Sequence, residues 1–160
     1  MKASLRHAFL GVFLAAFAAA AANVAAQATD PGMGMWKLNA EKSKFSPGPA
    51  PKSLTTRFEP SGKSVKWTAE RVGADGKAST SEYIGSYDGK EYPVKSPTAD
   101  AVVLRRIDTH ITERVNKKDG KVVSTERRVV AKDGKSYTTT VKGTTAKGEP
   151  LDIVMVFDKQ

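Results

Sequence analysis

The sequence contains no cysteine and only two histidines, His7 and His110. Without cysteine the chain can form no disulfide, accept no lipid on a cysteine and use no thiol nucleophile. Zinc sites usually need four ligands drawn from His, Cys and carboxylate, and no such set occurs at ligand spacing. A hydrophobic core alone must therefore hold the fold together.

The N-terminal segment has the features of a secretory signal peptide. Lys2 and Arg6 precede an apolar run over residues 8–22, and a small-residue Ala-x-Ala stretch follows. This run is shorter than the roughly 20 residues that a helix needs to cross the hydrocarbon core, which argues against an uncleaved membrane anchor. The sequence therefore predicts a signal peptide over 1–28, cleaved after Ala28 with Ala26 as the alternative, and a periplasmic or secreted location.

After cleavage the chain is predicted to form a flexible tail over 29–34 and a single domain over 35–160. Removing the leader takes away two of the 26 basic residues and none of the 17 acidic ones, which leaves a net charge of +7. The lysines are dispersed rather than clustered, so we expect no nucleic-acid partner. A solvated basic surface explains the charge, and an anionic envelope surface is the alternative partner.

Four copies of one tripeptide punctuate the chain: Asp75-Gly76-Lys77, Asp88-Gly89-Lys90, Asp119-Gly120-Lys121 and Asp133-Gly134-Lys135. Asp-Gly is a strong hairpin signal, because a type I′ turn needs φ > 0 at both central positions. The segments between the copies are rich in Val, Thr, Tyr and Ile and alternate apolar with polar residues, as half-buried strands do. No window outside the leader shows helical periodicity.

These patterns predict an all-β fold without substantial helix in the mature chain. Ten strand candidates joined by short turns should form an antiparallel up-and-down meander, each strand beside its predecessor. Such a sheet closes to avoid open edges, so we expect a single barrel of 8–10 strands. Barrels of this size either fill their interior with side chains or enclose one small ligand.

The first predicted strand carries a family resemblance. The run Gly34-Met35-Trp36-Lys37-Leu38, followed by Ser43 and Phe45, resembles the opening of lipocalins and of fatty-acid-binding proteins, both calycin-type barrels. Residues 34–160 also look like a group of small exported bacterial lipocalin-like proteins that share the Trp-Lys-Leu-Asn, Lys-Ser-Lys-Phe and Pro-Gly-Pro-Ala-Pro stretches. The resemblance implies a barrel that binds a small molecule, with Trp36 plugging one barrel end.

The chain departs from these families in three places. Pro47, Pro49 and Pro51 leave no room for the helix-turn-helix lid of fatty-acid-binding proteins. The C-terminal Val156-Phe157-Asp158-Lys159 lacks their carboxylate-gripping Arg-x-Tyr, and the second lipocalin motif, Thr-Asp-Tyr, is missing. Neither ligand site can therefore be carried over.

No arrangement of residues predicts catalysis, a cofactor or a metal. His110 is the one histidine after the leader, and it follows the turn at Asp108-Thr109, where a surface residue is expected. Paired carboxylates could act in glycoside chemistry, but nothing distinguishes one of the strand candidates Glu70, Glu82, Glu113 and Glu126. We therefore expect a non-enzyme.

Two arginine pairs suggest an interior charge. Arg105-Arg106 and Arg127-Arg128 each place successive residues on a strand, so that one of each pair must face the barrel interior or its rim. Arg127 lies on the same face of its predicted strand as Val129 and is the predicted inward residue, whereas the pattern around Arg105 and Arg106 allows either of them to face inward. An inward arginine needs a carboxylate, water or an acidic ligand, because isolating its charge costs several kcal/mol.

The resulting hypothesis is a barrel that binds or carries a small apolar or amphipathic molecule, with an acidic head on Arg127 and either Arg105 or Arg106. Its tail would lie against Trp67, Tyr83, Tyr137 and Phe157, which could equally be core filling. One alternative is a filled barrel that contacts the envelope or a protein through its basic surface. A third is an inhibitor or enzyme built on the rim loops.

Overall fold

Ten antiparallel strands form one closed barrel in the computed structural model, which describes residues 30–160. The predicted signal peptide lies outside the described residues. In chain order the strands are β1 (Gly34–Lys44), β2 (Ser53–Ser61), β3 (Ser64–Val72), β4 (Ala78–Gly85), β5 (Asp88–Lys95), β6 (Ala101–Arg106), β7 (Ile111–Lys118), β8 (Lys121–Val130), β9 (Ser136–Thr144) and β10 (Pro150–Lys159). No helix occurs in residues 30–160, and none there could cross a membrane.

Each strand pairs with its predecessor, and β1 also pairs with β10. Trp36 lies opposite Lys159 and Leu38 opposite Phe157 in this closing ladder. Closure gives every strand a partner on both sides, which is the advantage of a barrel over an open meander. The predicted all-β fold, an up-and-down barrel of 8–10 strands, is confirmed.

The two barrel ends differ. At the Trp36 end, even-numbered strands lead into odd-numbered ones, and the turn over residues 30–33 lies beside them. At the proline-loop end, odd-numbered strands lead into even-numbered ones, and residues 45–52 carry Pro47, Pro49 and Pro51. The buried aromatic and aliphatic side chains concentrate toward the Trp36 end: Trp36, Phe58, Val65, Leu104, Val130, Tyr137 and Phe157.

The third Asp-Gly-Lys tripeptide forms the predicted type I′ turn. Asp119 has φ of 50° and Gly120 φ of 73°, and the two residues join β7 to β8. At the first and last copies only the glycine has positive φ. There the aspartate side chain accepts a hydrogen bond from the lysine amide two residues on, at 3.1 Å to Lys77 N and 3.0 Å to Lys135 N.

The second tripeptide is not a hairpin turn. Asp88 begins β5, and the pairing register with β6 shifts between Asp88 and Glu91, with φ of 77° at Gly89. This glycine accommodates a β-bulge, which needs the same left-handed backbone conformation as a turn. The link from β4 to β5 is Ser86-Tyr87 instead.

A second irregularity lies on β8 beside β7. Asn116 pairs with Ser124 but Lys117 pairs with Val122, so Val123 is an extra residue in β8. A one-residue bulge reverses which side chains of a strand face inward. Beyond the bulge the inward residues of β8 are Ser124, Glu126, Arg128 and Val130.

Gly143 on β9 tolerates this bulge because it has no Cβ. An added Cβ would lie 2.2 Å from Val123 O and 2.7 Å from Ser124 Cα, both backbone atoms. Since backbone atoms cannot rotate away, we expect Gly143→Ala to push β8 from β9 and lower the free energy of unfolding by about 2 kcal/mol in urea titrations. Gly73→Ala is the control, since its nearest neighbour is the Asp75 side chain. Equal losses in the two variants would contradict the explanation.

Candidate functional site

A cavity of about 770 Å³ occupies the barrel interior and extends to the proline-loop end. This volume lies within the roughly 300–1,000 Å³ of typical small-molecule sites. Loop residues line its outer part, including Phe45, Pro47, Pro97 and Ala146. Apolar side chains from several strands line its walls: Leu54, Ala69, Val94, Val141, Ile153 and Met155.

The first buried charge in the cavity wall belongs to Arg114 on β7, which pairs with Glu126 on β8. Arg114 Nη2 donates to both Glu126 carboxylate oxygens at 2.6 Å. The Arg114 guanidinium carbon lies 4.2 Å from the centre of the Trp67 ring. Burial alone would lower the pKa of Arg114, but the charge and hydrogen bond of Glu126, together with Tyr83, more than offset this and raise the pKa, so Arg114 stays cationic.

Glu126 is held by a second donor. Asn116 Nδ2 donates to Glu126 Oε1 and to Ser124 Oγ, each at 2.8 Å. Asn116 and Ser124 are both buried and occupy opposite positions on β7 and β8. The carboxylate is therefore oriented from two sides.

The second buried charge is Arg128, which has only 7% of its surface exposed. Its Nε donates to Thr112 Oγ1 at 3.1 Å and its Nη2 to the Tyr87 hydroxyl at 3.3 Å. Its guanidinium carbon lies 3.9 Å from the centre of the Phe58 ring. Arg128 lines the cavity, and these polar and aromatic contacts include no carboxylate.

Two guanidinium nitrogens, Arg114 Nε and Arg128 Nη1, are buried and have no hydrogen-bond acceptor within residues 30–160. A buried donor without an acceptor costs roughly 1–3 kcal/mol, and more on a charged group. The two arginines are diagonal neighbours, since Arg114 pairs with Glu126 and Thr112 with Arg128. Diagonal neighbours on one face lie roughly 7–8 Å apart at the backbone, so the two side chains line the same part of the cavity.

The tyrosines beside these arginines add no charge at physiological pH. Burial raises the pKa of Tyr83 to about 12. Burial likewise raises the pKa of Tyr137, whose hydroxyl lies 2.6 Å from Thr56 Oγ1. Both phenols therefore remain neutral hydrogen-bonding groups of the cavity wall.

The Trp36 end of the barrel is covered by the turn over residues 30–33. Trp36 is fully buried, and its Nε1 donates to Gly32 O at 3.2 Å. Asp30 forms an ion pair with Arg106, whose guanidinium lies 4.4 Å from the centre of the Tyr87 ring. Trp36 thus lies in the closed end and does not line the cavity. The described part of the predicted tail over 29–34 is packed into this turn and the start of β1.

Arg127, the predicted inward arginine, points outward. Its guanidinium is about half exposed and donates to Glu113 at 2.6 Å. The prediction is wrong because Val129, which lies on the same face of β8 as Arg127, is 40% exposed on the outer surface, so that Arg128 on the opposite face points inward. On β6, Val102 and Leu104 face inward. Arg106 lies on the same face of the strand, at the Trp36 end, and Arg105 lies on the outer face.

The predicted aromatic residues divide into two groups. Trp67, Tyr83 and Tyr137 line the cavity, and the Trp67 and Tyr83 rings stack with centroids 5.1 Å apart. Phe157 is buried behind Tyr137, at 4.6 Å between ring centroids, and is not part of the cavity lining. Phe157 therefore supports the wall rather than forming it.

The candidate carboxylates are dispersed. Glu82 pairs with Lys95 at 2.8 Å and Glu113 with Arg127, both on the outer surface, and Glu70 is exposed. His110 lies in the link between β6 and β7 at the Trp36 end, away from the cavity lining. Within residues 30–160 no three His, Asp or Glu side chains are grouped in a way that could hold a metal ion.

The closed ten-strand barrel is consistent with the calycin-like fold that the first-strand motif implies. No protein-family model matches the sequence, and no curated protein matches it either. The nature of a ligand has to be inferred from the cavity itself.

Proposed function

We propose that this protein is a lipocalin-like barrel that binds or carries a small amphipathic molecule with an acidic head. The observation that carries the proposal is the pair of cationic side chains, Arg114 and Arg128, in the wall of an interior cavity where Glu126 pairs with Arg114 and no carboxylate of residues 30–160 forms an ion pair with Arg128. Buried charges are normally paired, so an anionic group in the cavity would complete the site.

The cavity wall matches the two parts of such a molecule. An acidic head between Arg114 and Arg128 would accept charge-assisted hydrogen bonds from both guanidinium groups. The rest of the molecule would lie against the apolar wall, which includes Leu54, Ile153 and Met155, toward the proline-loop end. The role we propose is non-catalytic, and the exported location stays part of the proposal.

The alternative of a filled structural barrel is less well supported. It predicts an interior packed with side chains and an outer basic surface as the functional element. A cavity of about 770 Å³ runs counter to the first expectation. A bound molecule would separate the two proposals directly.

The first experiment is native mass spectrometry of the protein purified from its own cell compartment, with displacement of a fluorescent fatty acid from the purified barrel. We expect an added mass of a few hundred daltons and displacement by acidic amphiphiles. An absence of both bound mass and displacement would remove the proposal.

Replacing Arg128 should weaken binding of an acidic probe. We expect Arg128→Met to raise the dissociation constant of the fluorescent fatty acid about tenfold or more, because a charge-assisted hydrogen bond contributes about 1.5–3 kcal/mol. The methyl ester of the same probe should lose little affinity. The measurement is fluorescence titration of both probes.

Arg127→Met is the matched control, since it makes the same change one residue away on the outer surface. It should leave both affinities within about twofold of the wild-type values, because an exposed ion pair contributes little. Equal effects of the two substitutions on the acidic probe would contradict binding of the head inside the barrel.

A further inference from the structure

The buried part of the cavity wall carries one more positive charge than negative charges. Within residues 30–160, the ionised side chains in this part of the wall are Arg114 and Glu126, which are 17% and 16% exposed, and Arg128, which is buried. Glu126 is engaged with Arg114, whereas Arg128 contacts the neutral groups Thr112 and Tyr87. Asp30, whose side chain is 9% exposed at the Trp36 end, is paired with Arg106, and this pair is neutral. The interior excess is therefore a single positive charge.

Other charged residues that border the cavity do not change this balance. Arg71 is exposed at the rim of the proline-loop end. Lys118, at the same rim, lies 3.8 Å from Asp100. The carboxylate of Glu113 is engaged outside the barrel by Arg127.

From this balance we infer that the cavity selects amphiphiles whose head bears one negative charge on two or more oxygen atoms, a carboxylate being the simplest. Heads with two negative charges, such as a phosphate monoester, are selected against. The inference rests on the proposed function and adds the charge of the ligand. A single charge neutralises the interior, whereas a dianion would replace an uncompensated positive charge with a negative one, and either is costly away from water.

The requirement for two oxygen atoms follows from the two unpartnered donors. Arg114 Nε and Arg128 Nη1 belong to different guanidinium groups on neighbouring strands. A head with two acceptor oxygens can accept from one nitrogen of each after small side-chain adjustments. A hydroxyl head could reach both but would leave the charge excess in place.

Glu126 sets the charge preference in this arrangement. Its carboxylate neutralises Arg114 and is held by Asn116, so it cannot easily turn away when a ligand enters. Removing its charge would leave two uncompensated positive charges in the wall. The cavity would then favour a dianion.

The test compares two probes with the same twelve-carbon chain, dodecanoate and dodecyl phosphate, by titration calorimetry from pH 6 to pH 9 below their micelle concentrations. The affinity for dodecanoate should stay nearly constant. The affinity for dodecyl phosphate should fall about tenfold per pH unit above its second pKa of about 6, because only the singly charged fraction binds. In two buffers of different ionisation enthalpy at pH 8, dodecyl phosphate should take up about one proton on binding and dodecanoate none.

The variant Glu126→Gln should bind dodecyl phosphate with little pH dependence and little proton uptake. Glu82→Gln is the control, because it removes the same charge from the outer surface, where Glu82 pairs with Lys95. It should reproduce the wild-type profile. If Glu126→Gln does not fold, the wild-type pH profile and proton uptake still decide the question.

The outcomes separate the two proposals. Binding of dodecyl phosphate by the wild-type protein with constant affinity from pH 6 to pH 9 and no proton uptake would overturn the charge selection and leave the proposed function standing. Failure of dodecanoate, dodecyl phosphate and dodecanol to bind at all would overturn both. Tight binding of dodecanol, equal to that of dodecanoate, would also overturn the selection for charge.

Discussion

Replacing Glu126 with leucine should lower the free energy of unfolding by about 3 kcal/mol, because Arg114 would remain inside the barrel as an unpaired charge. This value is at the lower end of the range for breaking a buried pair, since the Arg114 side chain retains 17% of its exposure. Asn116 would lose an acceptor at the same time. Urea unfolding followed by tryptophan fluorescence measures the loss.

The double variant Arg114→Met/Glu126→Leu should recover most of that stability and unfold within about 1 kcal/mol of the wild-type protein. Replacing both members of a buried pair by apolar residues of similar volume is often neutral, because neither charge has to leave water. A double-mutant cycle isolates the coupling between the two side chains. A double variant as unstable as Glu126→Leu alone would show that packing of the carboxylate, not its charge, stabilises the wall.

Most of the fold could be predicted from local patterns. Alternation and β-branched residues predict strands locally, and β9 illustrates this, with Tyr137, Thr139 and Val141 buried and their neighbours outside. The Asp-Gly turns predict antiparallel neighbours. Closure follows from the edges of a ten-strand meander, and the ladder between β1 and β10 provides it.

The inward arginine was predicted wrongly because Val129, which guided the prediction, lies on the outer face of β8, and a bulge sets the register that puts it there. In a regular hairpin around the two-residue turn at Asp119-Gly120, Lys118 pairs with Lys121, and every second residue after Lys121 faces the same side of the sheet. With Lys118 facing inward, Arg127 would then face inward as well. The extra residue Val123 shifts the register by one and exchanges the two faces of β8. Nothing in the local sequence marks this position, and its structural partner, Gly143, lies 20 residues away in the chain.

Arg114 was missed for a different reason. The inward face of β7 consists of Thr112, Arg114 and Asn116, whereas Ile111 and Val115 face outward. The rule that the apolar face of a strand is buried fails here because the strand borders a polar part of the cavity. A strand whose polar face is buried indicates an interior site, but which face is buried can be identified only once the barrel geometry is known.

Removing the Trp36 ring should have the largest effect on stability. We expect Trp36→Ala to lower the free energy of unfolding by about 3–5 kcal/mol, the usual cost of deleting a fully buried aromatic side chain. The ring packs against Tyr137 at 4.9 Å between centroids and lies beneath Lys159 Nζ at the same distance. Its Nε1 also holds the turn over residues 30–33 through Gly32 O.

Trp36→Phe separates the two contributions. It keeps an aromatic ring against Tyr137 and removes the hydrogen bond to Gly32. We therefore expect the free energy of unfolding to fall by about 1 kcal/mol for the hydrogen bond, plus the cost of a void smaller than the one that Trp36→Ala leaves. Because Trp36 does not line the cavity, the folded fraction of either variant should bind a fluorescent fatty acid with nearly wild-type affinity. Loss of binding in a folded Trp36→Phe protein would mean that the Trp36 end and the cavity are coupled, for instance through the packing of the 30–33 turn near Arg128. Unchanged affinity with reduced stability would instead mean that the Trp36 ring supports the barrel without taking part in recognition of the ligand.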